Sequence, residues 1–226
     1  MTKTREPPTS LKEACIQAAR DVIAEDGVEN LSMRDVARKL GISHQAPYRH
    51  FESRDHLLAE IMRRCFVEFA HHLDQRPRSG IADTDLGAMG HAYLDYAQRK
   101  PLEYRLMFGT PWPAPAQHPE LVRHAVHAFN MLRDSLRNMQ GNDGEHTAQA
   151  DRQAMFIWSA LHGMASITQA NVMQHLSLAS GVEPGLRDDL LARIGLGLRW
   201  PEVAAPSTGL GAEASRSPVP RSSFAP

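Results

Sequence analysis

Apolar residues recur along most of this chain at three- to four-residue intervals, the period that gathers them on one side of an α-helix. From Ser10 the positions Leu11, Cys15, Ala18 and Val22 share a face, with Glu13 at capping-box spacing and Gly27 as a stop. A second run opens at Ser32, with Asp35 at the same spacing, turns Met33, Val36, Ala37 and Leu40 inward and ends at Gly41. The stretch GISHQAPYRHF, Gly41 to Phe51, then begins a third, short helix after a tight turn. A fourth runs from about Arg54 through Leu57, Leu58, Ile61, Cys65, Phe66 and Phe69 to the break at Arg76-Pro77-Arg78-Ser79-Gly80. Five more helical stretches follow, at about 83–99, 101–108, 119–140, 148–176 and 185–199, parted by Gly-, Pro- and Asn-bearing segments such as GTPWPAPAQHP and QGNDGEH. No segment sustains the two-residue alternation of a strand. The pattern predicts an all-α protein of about nine helices: three short ones, a fourth that joins them to the rest, and a C-terminal helical bundle.

Two helices joined by a Gly-containing turn form a helix-turn-helix, whose second helix can present its first side chains to base edges in a DNA major groove. SMRDVARKL-GIS-HQAPYRHF has that layout. Ser43 is placed to cap the new helix, so His44, Gln45 and Ala46 become its first three positions and Pro47 the fourth. First-turn amides have no intrahelical partner, which is why a proline is tolerated there. Gln45 can pair with adenine, His44 can donate to guanine, and Ala46 is small enough to touch a thymine methyl. Tyr48, His50 and Arg54 offer donors for phosphates, and Ser32 adds a hydroxyl and an amide at the start of the preceding helix. The competing reading is that helix-Gly-helix segments occur in many all-α proteins, with Tyr48 and Phe51 as core aromatics.

Composition adds few constraints. The 226 residues carry 25 Lys and Arg against 26 Asp and Glu, so a polyanion site has to come from local patterning. Between Ser32 and Asp55, Arg34, Arg38, Lys39, Arg49 and Arg54 face Asp35, Glu52 and Asp55, a small excess that favours binding as a dimer. No apolar run is long enough to span a bilayer and MTKTREPPTS is not a secretory signal, so the expected location is cytoplasmic. Cys15 and Cys65, without CxxC spacing, read as small core residues. PEVAAPSTGLGAEASRSPVPRSSFAP, residues 201–226, has the composition of a disordered tail.

The run LSMRDVARKLGISHQAPYRHFESRDHLLAEI, with its spacing from Gly41 to Tyr48-x-His50-Phe51 and the following Arg54, Leu57 and Leu58, resembles the DNA-binding domain of the tetracycline-repressor (TetR) family of bacterial regulators over roughly residues 9–56. Trp158 to Gly163, WSALHG, preceded by Tyr104 to Gly109, YRLMFG, is similar to a branch of that family with a Trp-x-x-x-His-Gly signature. The resemblance implies a homodimer on double-stranded operator DNA, held by the last two helices, and a small-molecule effector inside the C-terminal domain. It implies base contacts from His44 and Gln45 and phosphate contacts from Tyr48, His50 and Arg54. Pro47 departs from the Leu usual in the family. The corresponding division is a DNA-binding domain at 1–56, with 1–8 disordered, an effector-binding and dimerisation domain at 57–200, and the tail.

Candidate effector residues are Tyr93, Tyr96, Met107, Phe108, Trp112, Phe129, Trp158 and His162, since aromatics and Met around a few polar groups suit an apolar or aromatic ligand. The bland alternative is ordinary core, with His162 a satisfied core histidine and Gly163 a point of close helix packing. For the dimer, Phe156, Ala160, Gly163 and Ile167 form one stripe and Leu186, Leu190, Leu191 and Ile194 another, which could equally pack within one subunit. His71-His72 and His124-x-x-His127 raise a rival reading as a metal-responsive regulator, although a third ligand is missing. No GxSxG, HExxH or GxGxxG motif is present, so neither catalysis nor a cofactor is expected.

Overall fold

The computed structural model describes residues 10–140 and 144–198, and among them there is no strand. Eight α-helices follow in order: α1 (Leu11–Asp26), α2 (Met33–Leu40), α3 (Arg54–Asp74), α4 (Ala82–Arg99), α5 (Pro101–Phe108), α6 (Pro119–Gln140), α7 (Gly144–Gln169) and α8 (Val182–Leu198). The ninth expected helix is present as a single 3-10 turn, Pro47–Arg49. The expected disordered ends, 1–8 and 201–226, lie outside the described residues.

Serine hydroxyls start the first three helices. Ser10 Oγ accepts from the Glu13 amide at 3.3 Å, Ser32 Oγ from Asp35 at 3.1 Å and Ser53 Oγ from His56 at 3.1 Å. Gly41 ends α2 in the left-handed region, at φ 65°, where its amide reaches the Arg38 carbonyl and the Ile42 amide the Ala37 carbonyl. This paired closure needs a residue without a Cβ penalty, and it sets the direction in which the chain leaves α2.

Helix α3 runs through one continuous hydrophobic core that joins head and body. Its first half buries Leu57, Leu58 and Ile61 with Cys15, Ala19, Ile23, Val36 and Phe51 of the N-terminal head. Its second half turns Phe66, Phe69 and Leu73 into the body, where α4, α5 and α6 pack around it and α7 closes over α4 and α6. The expected domain boundary at 56/57 therefore falls inside the first turn of α3. Two ion-pair systems tie α1 to this frame. Arg64 of α3 donates to both Glu13 carboxylate oxygens, at 2.6 and 2.7 Å, and to Glu60 at 2.8 Å. Arg20 of α1 pairs with Glu103 of α5, the one charged residue among the buried described residues. No helix among the described residues is long and apolar enough to cross a membrane.

Burial alone would raise the Glu60 carboxyl, but hydrogen bonds from Arg63 and Arg64 outweigh it and bring its pKa down to about 2 from the usual 4.5. A carboxylate whose folded pKa lies below its unfolded one contributes stability that is complete above the unfolded value and is lost as pH falls through the folded one. Thermal melts across pH 7 to 2 are therefore expected to show Tm falling chiefly below about pH 4.5, with a shallower slope in Glu60→Gln. An unaltered slope in the variant would show that this cluster does not set the acid limit.

Candidate nucleic-acid interface and ligand cavity

Helix α2 and the segment after it form one outer edge of the head. Ser43, His44, Gln45, Tyr48 and His50 are exposed there and Ala46 is half-buried, whereas Pro47 and Phe51 are buried. Ser43 Oγ accepts from the Gln45 amide at 3.4 Å, a weak cap. The segment does not extend into a regular α-helix. Pro47 has no N–H to give the Ser43 carbonyl, and that carbonyl is taken instead by the Ala46 amide at 2.9 Å. The next bonds, Arg49 to Ala46 and His50 to Pro47, keep the tighter three-residue spacing until the Phe51 amide reaches Pro47. The buried ring of Pro47 and the buried Phe51 anchor the turn from beneath, which leaves His44, Gln45 and Tyr48 outward.

The basic groups are distributed differently from the expectation. Arg54 turns inward: Nε donates to the Leu31 carbonyl at 2.9 Å, a second guanidinium nitrogen to the Val28 carbonyl at 2.6 Å and a third to Asp55 at 3.0 Å. Its fork clamps the loop between α1 and α2, and the expected phosphate contact finds these three nitrogens engaged. Arg38 is paired with Asp35 and Lys39 with Glu25. Arg34 and Arg49, exposed on this edge, have no ion-pair partner among the described residues and are the cations left for a polyanion. Sequence reasoning counted them but gave them no role, because a count of charges cannot tell which are neutralised. Ser32 is half-buried and its hydroxyl is held by Asp35.

In the body, α3 to α7 enclose a cavity of about 570 Å³. Seven of the eight expected effector residues line it: Tyr93, Met107, Phe108, Trp112, Phe129, Trp158 and His162. Tyr96 does not; it is buried behind the wall, stacked edge-on against Phe69, with its hydroxyl 3.5 Å from the Cys65 carbonyl. The lining also includes Phe66, Phe69 and Leu73 of α3 and Leu86, Met89 and Gly90 of α4, whose helical periodicity gave only the signature of ordinary core. Val126 and Met155, 50% and 48% exposed, mark where the cavity meets solvent between α6 and α7.

One wall carries a hydrogen-bonded relay. Tyr93 Oη lies 2.8 Å from Tyr104 Oη, which lies 2.7 Å from His162 Nδ1. The histidine is thus satisfied, and it still lines the cavity. Burial pushes the Tyr93 hydroxyl up to about 12, raises Tyr104 in the same way, and lowers His162, so all three are uncharged at neutral pH. The expectation of close helix packing at Gly163 does not hold within the chain: a Cβ there would meet no atom within 4 Å. No group of three or more His, Cys, Asp or Glu side chains is gathered to hold a metal among the described residues. His72 instead pairs with Asp95, and His124 lies against Arg123.

The sequence matches the family model described as bacterial regulatory proteins, tetR family, over residues 16–61, and the tetracyclin repressor-like, C-terminal domain over residues 86–183. The chain belongs to the TetR family. It is 28% identical over 114 residues to the HTH-type transcriptional regulator Mb1846 of Mycobacterium bovis, a match covering 49% of each chain. It is 25% identical over 170 residues, 75% of each chain, to the HTH-type transcriptional regulator Rv0681 of Mycobacterium tuberculosis. The chain thus spans about half the length of the first of these relatives. Among solved structures, the regulatory protein SCO4313 superposes with a TM-score of 0.68 at 26% identity, covering 85% of this chain and 98% of that one. TetR-family proteins are transcriptional regulators rather than enzymes, and the edge just described is the helix-turn-helix of such a regulator.

Two substitutions separate scaffold from reading surface at this edge. Arg54→Ala is expected to cost about 1–3 kcal/mol in urea unfolding, because the Val28 and Leu31 carbonyls lose their donors. Arg54→Lys should recover little of it, since a point charge cannot span both carbonyls. Gln45→Ala, fully outside the packing, should leave the unfolding midpoint unchanged within about 0.5 kcal/mol.

Proposed function

We propose that the protein is a ligand-responsive repressor that binds a palindromic operator as a homodimer and is released when a small apolar molecule enters the body cavity. The observation that carries this reading is the double role of α3: Phe66, Phe69 and Leu73 form part of the cavity wall, while Leu57, Leu58 and Ile61 of the same helix are packed in the DNA-reading head. A ligand that displaces the first set favours a different placement of the second, provided it binds the two arrangements with different affinity. The head, residues 1–56, reads DNA, the body at 57–200 binds effector and partner, and the work is cytoplasmic.

At the reading edge His44 and Gln45 meet base edges, Ala46 a thymine methyl, and Tyr48, His50, Arg49 and Arg34 the phosphates, with Ser32 and Ser43 holding the helix starts. The dimer forms through α7 and α8. Phe156, Ile167 and Leu196 leave 53%, 45% and 64% of their surfaces exposed, and Phe156 lies beside Gly197 on the same side of the pair. Open space over Gly163 lets a second copy approach. The other half of the expected stripe is used within the subunit, since Ile194 is buried and Leu191 sits against Gly90 of α4.

The test is a titration against DNA upstream of the protein's own gene across a range of salt. Gln45→Ala should relax base preference by about 1–3 kcal/mol at one position of each half-site and keep the salt slope. Arg49→Ala should weaken all sequences alike and reduce the slope by about 1 per subunit. Absence of any sequence-specific complex at any salt would refute the repressor reading. Phe156→Asp is expected to convert the dimer to monomer in sedimentation and to abolish tight operator binding; a variant that stays dimeric would remove α7 from the interface.

A further inference from the structure

The cavity is uniform in charge but not in polarity. None of its 20 lining residues is Asp, Glu, Lys or Arg. Its polar side-chain atoms are few: the Tyr93 hydroxyl, the His162 imidazole and the indole nitrogens of Trp112, which donates to the Met107 carbonyl at 3.0 Å, and of Trp158, which donates toward the Tyr93 hydroxyl. Arg105 lines a separate cleft beyond the wall formed by Tyr104, Phe108 and His162. A carboxylate inside the cavity would lose its hydration with no cation to replace it, which is unfavourable. A fully apolar molecule would leave the remaining hydrogen-bonding capacity of the Tyr93 hydroxyl, beyond Tyr104 and Trp158, unused.

Hydrogen counting narrows the choice further. Tyr104 has one hydroxyl proton and stands between Tyr93 and His162 Nδ1, so it donates to one and accepts from the other. If it donates to His162, Tyr93 spends its proton on Tyr104, accepts from the Trp158 indole and keeps one oxygen lone pair for the cavity. If His162 is the donor, Tyr104 donates to Tyr93, whose own O–H is left over. A ligand hydroxyl, both donor and acceptor, completes the relay in either direction; a carbonyl completes only the second. We propose that the effector is an uncharged, largely apolar alcohol or phenol whose hydroxyl docks on Tyr93, at the open end of the Tyr93–Tyr104–His162 relay. This rests on the reading of the cavity as the effector site.

Trp112 and Trp158 line the cavity and report on its occupancy by their own fluorescence. The full-length protein is titrated at pH 7.5 with three molecules of one shape: 4-butylphenol, butylbenzene and 4-butylbenzoate. At that pH the phenol is neutral and the benzoate ionised. The phenol is expected to bind at least about tenfold more tightly than the benzoate, a difference of one decade in Kd. Tyr93→Phe should weaken the phenol about three- to tenfold, the worth of one hydrogen bond, and leave butylbenzene within about twofold. Benzoate binding as tight as or tighter than phenol would overturn the proposal, as would a phenol indifferent to Tyr93→Phe in a folded variant. The wild-type ranking decides whether or not that variant folds. Silence of the tryptophan signal and of calorimetry toward all three molecules would instead overturn the effector-site reading on which it rests, with the operator titration left standing.

Discussion

The burial of α3 in a continuous core shared by head and body is the constraint on which the rest of the structure depends. A helix of 21 residues is about 30 Å long and stiff on that scale. Leu57 and Ile61 cannot shift against the head without carrying the head, and Phe66 and Phe69 cannot shift against the body without moving the far end. Arg64 sits between these halves and ties α3 to α1 through Glu13. Arg20 of α1 pairs with Glu103, next in sequence to Tyr104, so the relay and this ion pair share a turn of α5. Ion pairs thus lie where head and body meet, while the cavity lining carries no charged residue.

The reading edge illustrates how one covalent feature propagates. Proline at 47 removes an amide, the Ser43 carbonyl bonds one residue earlier, and the segment tightens to a three-residue repeat. Its side chains are then spaced about 120° apart instead of 100°. Tyr48, on the 3-10 turn, and Gln45, just before it, are both exposed, and the buried ring of Pro47 supports this edge from beneath.

Much of this was legible in the sequence, for a physical reason. Helical periodicity placed Cys15, Ala18, Val22, Met33, Val36, Leu57, Phe66 and Phe69 inside, and all are buried, because local amphipathicity and tertiary burial agree for helices that cover a core on one side only. Gly27 and Gly41 as stops were equally readable, since positive φ has a residue signature. What escaped was whatever depends on partners distant in the chain. Arg54 looks like a phosphate ligand until Val28 and Leu31 fold back to it. Tyr96 and Tyr93 are indistinguishable in sequence, three residues apart on one helix, yet only Tyr93 reaches the cavity. Phe66 and Phe69 signalled core and are cavity wall as well, and no periodicity distinguishes a packed face from a hollow one.

That hollow is itself a thermodynamic statement. An apolar core closed completely would gain dispersion contacts on every lining ring, and leaving a void among them sacrifices stability in proportion to its size. Phe66 meets Phe108 and Trp112 edge to face at 5.7 and 5.5 Å, and Phe108 lies tilted against Trp158 at 6.1 Å, an arrangement that holds the walls apart while each ring keeps neighbours. The relay through Tyr104 and His162 adds directional bonds that resist collapse on the α5–α7 side. A molecule entering this space restores the missing contacts, so it stabilises whichever arrangement of α3 encloses it best. Tight binding alone would not move the head. The shift requires that the arrangement with the better-fitting cavity differ from the one whose heads fit DNA, and because α3 packs in head and body alike, optimising one placement constrains the other.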